Sequence, residues 1–154
     1  MFKKILNKKL LKNQKGLTLI ELLAVIVILA IIAAIAIPAI GNIIENSRYN
    51  AAKADAINVI NAANLYFTDE RSEIGATVTV KTLKTEKYLE NAGTFEKVKD
   101  TASVEKTADG NKISATVEYS GTKSVEFSGA TINGINGDKQ KGSKDSKDLT
   151  AITN

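Results

Sequence analysis

From Leu22 to Ile40 every side chain is apolar, 19 in succession, and no charge returns before Glu45. About 20 apolar helical residues cross the hydrocarbon core of a bilayer. Such a run constrains the chain more than any other feature, because it needs either lipid or a dense packing of other helices around it. The six lysines Lys3, Lys4, Lys8, Lys9, Lys12 and Lys15 precede it, and the first 16 residues hold no acid. Positive charge before a span keeps that end in the cytoplasm, so a single pass with the N-terminus inside and the C-terminus outside is expected.

This basic N-terminal segment also explains the net charge of +4 and the pI of 9.2. Beyond residue 16 the balance is 15 Lys and Arg against 17 Asp and Glu. The later lysines alternate with acids and do not cluster with aromatics, so DNA binding by this chain alone is not expected. There is no cysteine and no histidine. That excludes a disulfide framework, a thiolate metal site, a cysteine nucleophile and a serine triad built on histidine. No spacing of acids and lysines singles out a catalytic pair, so no enzyme activity and no cofactor are expected.

Past the apolar run, Tyr49, Ala52, Ala56, Val59, Ala63 and Tyr66 recur at helical spacing with polar residues between them. This stripe predicts that the helix continues as an amphipathic half to about Phe67. From Leu17 it would reach roughly 75 Å if straight. Pro38 and Gly41 interrupt it, and proline lacks the N–H donor, so a break or weakness near 34–41 is expected. Beyond Thr68 the pattern changes to short strands. Val78 and Val80 alternate with threonines, and 82–89 reads as a short helix presenting Leu83 and Tyr88. Asp109-Gly110 and Ser120-Gly121 mark turns. Between and after them, Ile113, Ala115, Val117 and Tyr119, then Val125 and Phe127, alternate with polar residues. The result is an α+β fold: a long N-terminal helix with a small antiparallel sheet packed on its C-terminal half. Residues 133–154 are rich in Gly, Asn, Ser, Asp and Lys, which predicts a flexible tail or a loosely held edge.

The junction Lys15-Gly16-Leu17-Thr18-Leu19-Ile20-Glu21 runs straight into Leu22-Leu23. A secretory signal peptide would place a small-residue cleavage site after the apolar region, at Ala33-Ala34, Ala36 or Ala39. A plain signal anchor explains the lysines and the run. Neither gives Glu21 a purpose at the mouth of the span, where an unpaired carboxylate costs several kcal/mol. An acid near the start of a helix is also favoured by the macrodipole, by about 0.3–1 kcal/mol.

The segment Gly16-Leu17-Thr18-Leu19-Ile20-Glu21-Leu22-Leu23 resembles the class III signal of type IV prepilins and pseudopilins. The likeness covers residues 12–45 and includes Pro38; Leu17 stands where Phe is commonest. The absence of a C-terminal cysteine pair is similar to Gram-positive members. The resemblance implies a leader (1–16), a hydrophobic assembly helix (17–44), a head of amphipathic helix and sheet (45–132), and a polar tail (133–154). It implies cleavage between Gly16 and Leu17 by a prepilin peptidase, N-methylation of Leu17, and pairing of Glu21 with the N-terminus of a neighbouring subunit. Pro38 would mark where the helix loses order during assembly. The implied partners are further copies of the chain, the peptidase, an assembly platform with its motor ATPase, and the membrane beforehand; the implied destination is a surface filament. A pseudopilus for type II secretion or competence DNA uptake fits the same residues; a single-pass anchored binding module that never polymerises is the alternative from another class. Some secretion pseudopilins bind calcium through C-terminal acids, for which Asp138, Asp145 and Asp148 are the candidates here.

Overall fold

The computed structural model describes residues 18–154 with their side chains. Its first element, α1 (Phe2–Asp69), contains Pro38 and is followed by a four-stranded antiparallel sheet, so the fold is α+β. The chain divides into two compact units, Met1–Gly41 and Asn42–Asn154.

In the first unit the described side chains are almost all exposed, from Leu19 to Ile40. By length and composition α1 is able to cross a membrane. The helix assignment passes through Pro38 and Gly41 without a gap. The break expected there from sequence is therefore not an interruption of the helix, although Pro38 has no N–H to give to the preceding turn.

In the second unit the strands are β1 (Thr77–Thr79), β2 (Ser103–Glu105), β3 (Lys112–Ser120) and β4 (Lys123–Ala130), paired in that order. Gly121, at φ 56°, makes the tight link between β3 and β4 that few other residues accept. Val117 faces Val125 and Ala115 faces Phe127 across the hairpin. Ile113 pairs with Ala130 but Ser114 pairs with Ser128, leaving Gly129 as a bulge with φ 64°. The alternation seen in the sequence places Ile113, Val117, Val125 and Phe127 in the core.

The outer part of α1 supplies the other side of that core. Tyr49, Ala52, Ala56, Val59, Ile60, Ala63 and Phe67 are buried in one cluster with the sheet residues. Three alanines on this face keep the backbones close, and the Tyr49 and Tyr119 rings meet edge to face at 5.3 Å. Between β1 and β2 lie α2 (Val80–Thr85) and a 3-10 helix (Gly93–Val98). Thr79 caps α2 by accepting from the Thr82 N–H, which takes Val80 out of the strand expected from its alternation. Phe95 on the 3-10 helix is fully buried beside Phe127.

Residues 133–154 differ from the expected loose tail. They begin in α3 (Ile132–Gly137), capped by Thr131, and Ile135 is buried. Farther on, Ile152 forms a parallel bridge to Phe127: its N–H donates to the Glu126 carbonyl at 2.8 Å, and its own carbonyl accepts from Ser128 at 2.9 Å. Two glycines permit the close packing. A Cβ on Gly134 would stand 1.8 Å from the Thr153 carbonyl oxygen, and one on Gly142 would stand 2.2 Å from Tyr49 Cβ.

Candidate processing and assembly site

The residues singled out for processing and assembly all belong to α1. Gly16 and Leu17 lie outside the described residues. Glu21 is exposed, and the apolar neighbours Leu19, Ile20, Leu22 and Leu23 are between 59% and 68% exposed. Among the described residues no salt bridge reaches Glu21. Because α1 starts at Phe2, Glu21 lies inside the helix rather than in its first turn. The macrodipole's attraction fades beyond that turn, so it does not compensate this carboxylate in the uncut chain. Gly41 has open space around the position of a Cβ, so no contact among the described residues requires a glycine there.

Residues 11–37 match the family model of the prokaryotic N-terminal methylation motif. The chain carries the class III signal of type IV prepilins. That match takes in the glycine junction, Glu21 and most of the apolar run. It supports a type IV pilin- or pseudopilin-like precursor, and it indicates a structural protein processed by a prepilin peptidase and built into a filament. No curated protein and no solved structure is significantly similar to the chain.

The prepilin signal says nothing about the second unit, where a part-buried polar cluster was missed by sequence reasoning. The Tyr49 hydroxyl donates to Asp138 Oδ2 at 2.8 Å. Lys53 Nζ donates to the same oxygen at 3.1 Å and to the Asp138 carbonyl at 2.8 Å. Gln140 Nε2 donates to Oδ1 at 2.9 Å and, with Thr150, ties the far end of the segment. Burial disfavours the Asp138 charge, but the hydrogen bonds from Gln140, Tyr49 and Lys53 outweigh it and hold its pKa below the usual carboxylate value. Burial, and then the hydrogen bond to Asp138, push the Tyr49 hydroxyl upward. Tyr49 and Lys53 are one helical turn apart, which was legible; their partner lay 85 residues beyond Lys53 in a segment that reads as solvent-exposed.

This cluster also bears on calcium. Asp138 is committed to Lys53, while Asp145 and Asp148 are exposed. Among the described residues no group of three acids is placed to hold a metal ion. The cluster's chemistry is that of a structural tie: a charge-assisted bridge between α1 and the segment after α3.

Proposed function

We propose that the chain is a structural subunit of a type IV pilus-like filament. A prepilin peptidase cuts between Gly16 and Leu17, and the new amino group of Leu17 is methylated. Glu21 then pairs with the N-terminus of a neighbouring copy, while the apolar half of α1 exchanges lipid for other helices. Pro38 is a point at which the helix yields during that exchange. The assembly platform and its motor ATPase draw subunits from the cytoplasmic membrane into a surface filament.

The observation that carries this reading is the match over residues 11–37, which joins the cleavage junction, a lone carboxylate and an apolar helix in one motif. The physical logic supports it. A carboxylate at the edge of an apolar span needs a partner, and the α-amino group that suits it exists only after cleavage. Register between subunits is thereby tied to processing. Replacing Glu21 with Ala tests the assignment: membrane insertion and cleavage persist, and filaments are lost. Normal filaments from the Glu21→Ala chain would refute the assembly role of Glu21, whereas an unaltered chain that inserts but never forms filaments would favour an anchored module that does not polymerise.

A further inference from the structure

The tripeptide Ile-Asn-Gly occurs twice in succession, as Ile132-Asn133-Gly134 and Ile135-Asn136-Gly137, and together the two copies make up α3. An asparagine followed by glycine is open to intramolecular attack on its carboxamide, because glycine places no side chain beside the main-chain nitrogen that attacks. Both asparagines are exposed, and neither carboxamide makes a hydrogen bond among the described residues. The two sites are thus alike in local sequence and in solvent access. They differ in what holds the glycine.

Gly134 is fixed in place. Its N–H donates to Thr131 Oγ1 at 3.1 Å, and its carbonyl accepts from the Asp138 N–H at 3.1 Å. The Thr153 carbonyl leaves no room for a Cβ, so the packing requires a glycine here. Gly137 is exposed, a Cβ placed on it would meet nothing within 4 Å, and its φ lies outside the left-handed region. Neither space nor backbone conformation calls for a glycine at this position. Gly137 is the last residue of a helix of six, and Asp138 after it is already extended at ψ 124°. Helices this short are marginal by themselves, and helix ends fray. Fraying releases the Asn136–Gly137 peptide from the helical geometry, which otherwise keeps the side-chain carbon away from the next nitrogen.

We propose that Asn136 is a site of spontaneous deamidation, and that its product loosens the segment after α3 as the folded chain ages. The Gly137 nitrogen, having given up its proton, attacks Asn136 Cγ. A Cγ–N bond forms, the Cγ–Nδ2 bond breaks, and the amide group leaves as ammonia with the proton that was lost, closing a cyclic imide. Water then opens the ring at either carbonyl. Opening at Cγ gives an ordinary aspartate. Opening at the main-chain carbonyl gives an isoaspartate, whose backbone runs through Cβ and Cγ and is one methylene longer. Both products add a carboxylate beside Asp138 at the C-terminal end of α3, where the helix dipole disfavours negative charge. The longer backbone also displaces Asp138 from the Tyr49 hydroxyl and Lys53 Nζ, which it meets at 2.8 and 3.1 Å. Hydrogen bonds weaken steeply when distance and angle are disturbed.

The full-length chain is incubated in detergent at mildly alkaline pH. Conversion at each asparagine is followed by peptide mass spectrometry, with fragmentation that separates aspartate from isoaspartate. Asn136 should convert severalfold faster than Asn133 in the folded chain, and the two rates should converge in denaturant, where only the shared tripeptide remains. The rate at Asn136 should rise with pH, because the attacking nitrogen must lose its proton. Gly137→Ala, which the open surroundings accommodate, and Asn136→Gln, whose longer side chain closes the ring more slowly, should each lower conversion at residue 136 severalfold with an unchanged circular dichroism spectrum. Proteolysis within 138–148 should quicken as isoaspartate accumulates at residue 136, and should not quicken in a Gly137→Ala chain of the same age. Equal rates at Asn133 and Asn136 in the folded chain, or undiminished conversion in both variants, would overturn the site. A rate difference that persists in denaturant would overturn the role given to the hold on Gly134. Full resistance to proteolysis in the converted chain would overturn the loosening.

Discussion

Ile28 and Ile60 are the same residue on the same helix, yet Ile28 is 56% exposed and Ile60 is 1% exposed. The difference does not lie in local helix preference, because both stretches are assigned as continuous helix. It lies in what the rest of the chain supplies. Around Ile60 the sequence places polar residues between apolar ones, and a sheet with one apolar face covers the stripe. Around Ile28 the helix is apolar on every side, and the described residues bury none of the central run. A helix that is apolar all round requires surroundings other than water. The inner half is thus completed by lipid or by other copies, and the outer half by its own sheet.

The largest expected effect separates these two halves. Ile60→Ala should destabilise the second unit by about 2–5 kcal/mol, the usual cost of truncating a buried isoleucine. Ile28→Ala should leave the unfolding free energy of the same full chain in detergent unchanged to within about 0.5 kcal/mol and act only on assembly. Equal losses in a denaturant titration followed by circular dichroism would remove the distinction.

The next effect concerns the tie between α1 and the segment after α3. Asp138→Ala leaves Lys53 and the Tyr49 hydroxyl without their shared acceptor. A loss of about 1.5–3 kcal/mol is expected, in the range for hydrogen bonds to charged groups, together with faster proteolysis within 138–148. Unchanged stability would mean that the segment after α3 is held by its other contacts, such as Ile135, Ile152 and the backbone bonds to Glu126 and Ser128, without need of the Asp138 tie.

A smaller effect is the response to pH. Asp138 has a depressed pKa in the fold, so its contribution is present above the unfolded value of about 3.9 and is lost as pH falls through the lower folded value. Tyr49 has the opposite sign. Its raised pKa contributes stability below about pH 10, and that contribution declines as pH climbs toward the folded value. Asp138→Asn should flatten the acid limb of a stability-against-pH curve while sparing the alkaline limb's direction. The smallest effect is expected from Lys81→Ala, which removes a bridge to Asp100 with both side chains 63% exposed. Pairs of this kind seldom register in a melting curve.

Much of the second unit was legible because its core follows simple periods. Tyr49, Ala52, Ala56, Val59 and Ala63 obey the helical spacing, and Ile113 through Phe127 obey the two-residue alternation, so each face could be assigned before its partner was known. The prepilin junction was legible for a different reason: glycine, glutamate and the apolar run are contiguous in sequence. Where contacts are distant and polar, the reading failed. Residues 133–154 hold few apolar side chains, and their placement depends on Asp138 meeting Lys53, on backbone bonds to Glu126 and Ser128, and on the fit of Gly134 and Gly142. No period records such contacts. Phe95 was missed because its 3-10 helix is too short to show a repeat, and Val80 because the Thr79 cap converts an alternating stretch into the start of α2.

The central claim is that the leader is removed at Gly16 so that the new terminus can meet Glu21. The most direct test is the intact mass and N-terminal sequence of the subunit recovered from sheared surface filaments. The account predicts a chain that begins at Leu17 and carries one added methyl group on its amino nitrogen. A filament subunit that begins at Met1, or after one of the alanines beyond the apolar run, would contradict it.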